Sequence, residues 1–224
     1  MKSFLLFLCC FALFDLAMLA QTGQPRIVHS KEQSAIHVPP QEAPACLERI
    51  YSNLGKSKTD LYETEIGWGI FGPNSSSGFT EFVGMPFTPK SNAQVEQVRA
   101  ALWYFGSGAN QVNLSIYADA GGPATLLVGP VTVTNLPPSG TCCALAVAKF
   151  SPLAVTCGTR YWVVADTPLT GIGSDSEATW AFIPTHIPQA FNDGSGWSLD
   201  NGLTEEAAGE VLGVRDDSVS WRCR

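Results

Sequence analysis

The chain has 224 residues, is 45% hydrophobic and 15% charged, and carries a formal net charge of −7. Its length fits one sizeable domain or at most two small ones. An acidic surface repels phosphate backbones, and no Lys/Arg cluster stands out along the chain to offset it, which argues against nucleic acid as a partner.

The N-terminus opens with Lys2 and an unbroken apolar run from Phe4 to Phe14, and leaves through Ala17-Met18-Leu19-Ala20 before Gln21. This is the charged, apolar and small-residue order of a secretory signal peptide, with cleavage expected after Ala20. The run is too short for a spanning helix, which needs about 20 apolar residues. Residues 1–20 are therefore expected to leave, taking Cys9 and Cys10, and the remainder to be secreted into a periplasmic or extracellular space. No second apolar segment is long enough for a transmembrane anchor. Residues 21–45 are polar and contain Pro25, Pro39 and Pro40, the composition of a flexible arm in which His29 and His37 are solvated. The domain proper is expected over residues 46–224.

Leu47, Ile50, Tyr51 and Leu54 fall at helical spacing between Pro44 and Gly55, so a short helix is one reading of this stretch. Strand signals dominate from there on. Val112, Leu114, Ile116 and Ala118 alternate with polar neighbours, Val131 and Val133 alternate with threonines, and Tyr161–Ala165 is aromatic and β-branched. Shorter candidates are Phe79–Phe87, Ala144–Phe150, Thr179–Ile183 and Glu210–Arg215. Gln94–Phe105 fits either period, and the Gly106-Ser107-Gly108 break favours a β-hairpin with the strand that follows. Turns such as Gly121-Gly122-Pro123 and Asp193-Gly194-Ser195-Gly196 recur between strands. This pattern predicts an all-β fold, an antiparallel β-sandwich of jelly-roll type with a flexible N-terminal arm.

Cys46, Cys142, Cys143, Cys157 and Cys223 remain after signal removal, and an oxidising compartment favours disulfides among them. The expected bridge joins Cys142 or Cys143 to Cys157, with Cys46 to Cys223 tying the chain ends. A vicinal Cys142–Cys143 bridge is the strained alternative. Zinc is not indicated: there is no CxxC pair, and His29, His37 and His186 have no ligand spacing.

No serine lies in a nucleophile elbow, and neither a P-loop nor a dinucleotide fingerprint occurs, so no catalytic residue is assigned. Of the histidines only His186 lies beyond the arm. Glu63, Glu65, Glu81, Glu96, Asp166, Asp175, Glu177 and Glu210 would serve a glycosidase only if two of them faced each other across a cleft. No cofactor is required, although the acidic loop Ser174-Asp175-Ser176-Glu177 offers oxygen ligands of the kind calcium takes, with Asp175 and Glu177 as the metal candidates. Trp68 and Trp197 sit among glycines, unlike the other tryptophans, and an exposed indole beside Asn192 and Asp193 is suited to stacking a sugar ring. Sequons occur at Asn74 and Asn113.

Several stretches, taken in order, resemble one family. Tyr51-Ser52-Asn53-Leu54-Gly55, Gly67-Trp68, Pro86-Phe87-Thr88-Pro89, Leu114 to Gly122, Leu136-Pro137 with Cys142-Cys143, Gly158 to Val163 and Asp193 to Trp197 are similar to bacterial exported choice-of-anchor domains of the type found with PEP-CTERM sorting tails. The likeness covers about residues 50–215. It implies a secreted or surface-displayed β-sandwich without catalytic residues, favours a strand for Gln94–Phe105, and supports pairing Cys157 with the Cys142-Cys143 segment. The sorting motif and basic tail of that family are not present after Arg215. The functional expectation is a non-enzymatic extracellular module binding a glycan or cell-envelope polymer. The alternatives are a polysaccharide hydrolase with paired carboxylates and a purely structural surface domain.

Overall fold

The computed structural model describes residues 25–30, 36–39, 42, 44–185, 187–200 and 205–216. The signal segment, His186 and Cys223 lie outside these. Every regular element among the described residues is a strand. In chain order these are β1 (Ile27–His29), β2 (Glu48–Ser52), β3 (Ile66–Phe71), β4 (Phe82–Phe87), β5 (Ala93–Ala100), β6 (Leu102–Tyr104), β7 (Gln111–Asp119) and β8 (Pro123–Thr134). There follow β9 (Ala146–Val155), β10 (Tyr161–Asp166), β11 (Glu177–Pro184), β12 (Gln189–Asn192), β13 (Trp197–Asp200), β14 (Glu205–Ala207) and β15 (Gly209–Arg215).

Three antiparallel sheets form a β-sandwich. One layer is six-stranded, in the order β13-β12-β4-β10-β7-β8. The opposing layer consists of β1-β3-β11, with β6 and β14 both pairing on β11, and of β2-β15-β5-β9. Period-2 alternation decides what enters the space between them. From the first layer come Met85, Phe87, Ile116 and Val163. From the second come Trp68, Ile70, Trp180, Phe182, Val95, Val98 and Val211, all in one core cluster. Each such large side chain contributes roughly 1.5–3 kcal/mol by its burial. The aromatic β-branched run 161–165 is β10, central in its sheet between β4 and β7 as its composition predicts.

Several expectations need correction. Residues 47–54 are not helical: β2 pairs with β15 and only Ile50 of the strand is buried, so cross-strand pairing prevails over a weak helical period. Gln94–Phe105 is extended, as expected, but forms no hairpin with β7. Its first half pairs with β15 and β9, and its second half, β6, pairs with β11. The Gly106–Gly108 segment then carries the chain to the other layer. A side chain at Gly108 would overlap the Asp175 carbonyl, and φ of +69° adds a second reason for glycine there. Parts of the supposed flexible arm are also docked, because β1 pairs with β3, and Cys142 and Cys143 donate their backbone N–H groups to Ile36 and Val38.

Cys142 and Cys143 are disulfide-bonded to one another, which overturns a bridge from either to Cys157. Cys157 is itself disulfide-bonded. Cys46 is free and exposed, which overturns its expected bridge to Cys223.

The two sheets of the second layer meet at three alanines. Ala101 lies between β5 and β6, Ala208 between β14 and β15, and Ala181 within β11. The Ala181 N–H donates to the Ala101 carbonyl (2.9 Å), that of Ala101 to Ala208 (3.0 Å), and that of Ala208 back to Ala181 (2.8 Å). All three have no solvent exposure. Behind them the Trp103 indole donates to the Thr141 carbonyl at 2.9 Å and the Tyr62 hydroxyl to that of Ala144 at 2.8 Å. The Cys142–Cys143 pair belongs to this smaller cluster.

Candidate functional site

Alternation along β10 sends Tyr161, Val163 and Ala165 into the core and leaves Trp162, Val164 and Asp166 on the opposite, outer face of the six-stranded sheet. A sheet face turned away from the core would ordinarily be polar. Here it carries a second apolar cluster: Trp162, Val164 and Ala190 are buried, with Tyr117, Trp197 and Leu199 half-buried around them. The register explains the close packing. Leu199, Ala190, Gly84, Val164 and Ser115 succeed one another across five strands, small in the middle and larger at one end. A Cβ on Gly84 would lie 3.1 Å from Ala190 Cβ, 3.2 Å from Pro123 Cγ and 3.4 Å from the Trp162 ring. Glycine therefore lets Pro123 and Trp162 settle against the sheet.

Hydrogen bonds fix the cluster. The Trp162 indole N–H donates to Asp119 Oδ1 at 2.7 Å, and the Gly122 backbone N–H donates to the same oxygen at 3.2 Å. The turn after β7 is thereby held over the tryptophan. Beside it, Thr132 donates to Asn113 Oδ1 at 2.7 Å. Burial pushes the Asp166 carboxyl up to about 6, although a hydrogen bond with Asn113 opposes this. Burial, then the Asp166 charge, raises the Tyr117 hydroxyl.

Trp197 stands at the far end of the face, directly across from Asn192 on β12. Between them the hairpin tip is ordered by its own side chains. Asn192 Oδ1 accepts the Gly194 N–H at 2.8 Å, and Asp193 Oδ1 accepts the Ser195 hydroxyl at 2.6 Å and its N–H at 3.0 Å. Those bonds from Ser195 hold the exposed Asp193 carboxyl below the usual range. Trp197, Asn192 and Asp193 are thus brought together. Trp68 is not: it is fully buried in the core against Phe182 and Phe191, with ring centroids 5.4 and 5.0 Å away. Its flanking glycines serve sheet packing, since a Cβ on Gly67 would crowd Thr179 and the Trp180 backbone. Trp68 is withdrawn as a stacking residue.

The calcium candidates are engaged by protein donors. Glu177 is buried, and its Oε1 accepts from the Ser76 hydroxyl (2.7 Å), the Ser77 N–H (2.9 Å) and the Ser77 hydroxyl (3.0 Å). Asp175 Oδ1 accepts from the Ala109 N–H at 3.3 Å. Among the described residues the one group with metal-ligand proximity is His37 with Cys142 and Cys143, whose ligand atoms lie within 4.8 Å of one another. With both sulfurs in the disulfide, no thiolate is present to bind a metal.

Of the carboxylates considered for hydrolysis, Glu81 is buried and pushed up to about 7 by that burial, with the Arg26 backbone N–H at 2.8 Å opposing and the Asp193 charge adding to the rise. Arg26 lies over the Phe79 ring at 3.4 Å. A further acid was missed in sequence. Glu206 has no solvent exposure, accepts the Tyr51 hydroxyl at 2.7 Å, and is raised by burial. Only its place on β14, a three-residue strand without a legible period, reveals it.

These features define the class as an all-β sandwich bearing an aromatic, carboxylate-edged outer sheet face. No family model, characterised protein or solved structure matches the chain.

Proposed function

We propose that the protein is an exported, non-enzymatic binding module that holds a neutral glycan or envelope polymer along the outer face of its six-stranded sheet. One observation carries this reading: an apolar cluster on the solvent side of a sheet, bordered by half-buried Trp197 and Tyr117. Trp197 supplies a stacking surface for a sugar ring. Asn192, Asp119 and Asp166, each half-exposed on the same face, supply acceptors for hydroxyl groups. The signal-like N-terminus and the disulfides support an extracellular setting. The hydrolase reading has less support, because Glu81, whose raised pKa would suit a general acid, is only 5% exposed.

The test is retention of the mature protein on a panel of insoluble neutral polysaccharides, beside Trp197→Ala and Tyr117→Ala variants of unchanged melting temperature. Retention of the wild type that drops at least tenfold in Trp197→Ala supports the reading. Retention on none of them leaves a purely structural domain, and release of reducing sugar points to hydrolysis.

A further inference from the structure

The second layer has its own outer face, and its chemistry is opposite. On β5 and β15, Val98 and Val211 face the core, so their neighbours Arg99 and Glu210 face outward and lie directly across from each other. Arg99 donates to Glu210 at 2.6 Å, with side-chain exposures of 5% and 2%. Arg49 on β2 donates through Nε to the second Glu210 oxygen at 3.0 Å. Two guanidinium groups thus share one carboxylate. Among the described residues the terminal nitrogens of Arg49 have no further partner, and its side chain is 66% exposed.

This trio lines a cavity of 490 Å³ together with Lys56 and Lys58, neither of which forms an ion pair among the described residues. The lysines stand on a closed turn. Gly55 donates its N–H to the Leu61 carbonyl at 2.9 Å, and Asp60 donates to Ser57 at 3.2 Å. A Cβ on Gly55 would collide with the Asp60 carbonyl, so the turn is set by the glycine. Four basic side chains against Glu210 and Glu42 leave two positive charges in excess, in a chain with 13 basic and 20 acidic residues overall. Leu54, Leu61 and Leu145 form the apolar wall. The volume lies within the roughly 300–1,000 Å³ of small-molecule sites and exceeds the needs of a bare inorganic anion.

We propose that this cavity binds an organic anion of sugar-acid size, its carboxylate or phosphate group held by Arg49, Lys56 and Lys58 and its carbon skeleton laid against the leucines. The buried Arg99–Glu210 pair is the floor that orients Arg49. Guanidinium and ammonium donors form charge-assisted hydrogen bonds with either anion type. This site stands independently of the glycan face on the other layer.

The experiment is calorimetric titration of the mature protein with a uronic acid disaccharide, a hexose phosphate, a neutral disaccharide and inorganic phosphate. Binding of either organic anion, weakening as salt rises and falling at least about tenfold in Lys56→Ala/Lys58→Ala, is the expected result. The uronic acid and hexose phosphate arms distinguish carboxylate from phosphate as the recognised group. Lys90→Ala, at an exposed lysine outside the cavity, should titrate like the wild type. The proposal is overturned if neither organic anion binds, if inorganic phosphate binds as tightly as both, or if the double lysine variant, with unchanged melting temperature, binds normally.

Discussion

Arg99 and Glu210 face one another on adjacent strands and pair at 2.6 Å almost out of reach of water. Removing one partner of such a pair strands a buried charge, whereas replacing both with apolar groups does not. Because Arg49 still holds the other oxygen of Glu210, Arg99→Met is expected to cost at most about 3–5 kcal/mol in urea denaturation. Arg99→Met/Glu210→Leu should recover most of that loss. Additive losses in the double variant would show that the two side chains are not coupled.

Trp68 and Trp197 separate stability from binding. Trp68 is fully buried among aromatic rings, and its truncation to alanine should cost roughly 3–5 kcal/mol. Trp197 is half-buried at the rim of the outer cluster, so Trp197→Ala should cost less, about 1 kcal/mol. Thermal melts of both variants check the ranking.

Stability should fall as pH rises from about 4 to about 7. Burial lifts Glu81 from 4.5 to about 7 and Asp166 from 3.8 to about 6. In that window the folded chain holds protons that the unfolded chain has released, so folding is favoured at the acidic end. Glu206 acts in the same direction. Asp193, whose pKa is lowered, acts in the opposite sense only below its ordinary 3.8. Each fully shifted group contributes up to about 1.4 kcal/mol per pH unit. Melting temperatures at about pH 5 and about pH 8 should differ accordingly, and the difference should shrink in Glu81→Gln and Asp166→Asn.

The cysteines predict a simple labelling pattern. Under native, non-reducing conditions iodoacetamide should modify Cys46, the free exposed thiol, and spare Cys142, Cys143 and Cys157. Peptide mapping should recover Cys142 and Cys143 in one peptide lacking two hydrogens. Alkylation at either would contradict the bridge.

The two sequons differ in setting. Asn74 lies in an exposed turn, whereas Asn113 is buried in β7 between Thr132 and Asp166. Folded protein secreted from a glycosylating host should carry a glycan at Asn74 and none at Asn113. Glycosidase-sensitive mass lost in Asn74→Gln and kept in Asn113→Gln is the readout.

Much of the fold was legible because Val112–Ala118 has an unambiguous period of two and Tyr161–Ala165 a continuous aromatic and β-branched run, and the two form neighbouring strands inside one sheet. Short strands at the edges were not. β1 and β14 have three residues each, too few for a period, and their places follow from backbone partners distant in sequence. Trp68 was misread because flanking glycines suggest a loop, when here they admit neighbouring strands. Half of the candidate site, Trp197 with Asn192 and Asp193, was visible as a glycine-rich tip. Tyr117 and Trp162 were hidden within good strand patterns, because alternation does not reveal which of two faces lies outside. The basic cavity was invisible for another reason: Arg49 and Arg99 are fifty positions apart in the chain and meet only through β15.

The ring of Ala101, Ala181 and Ala208 bears on what the chain can do while it folds. Edge-to-edge sheets usually tolerate sliding, since a ladder displaced by two residues restores its bonds and its facing. Three strands that each give and receive one bond within a closed triangle have no such freedom. Moving any one of them breaks two contacts and restores none. The ring is a vernier with a single coincidence, so a sheet wrongly aligned anywhere in this layer is denied its junction, and exchange of a strand with a second molecule would have to reproduce all three positions at once.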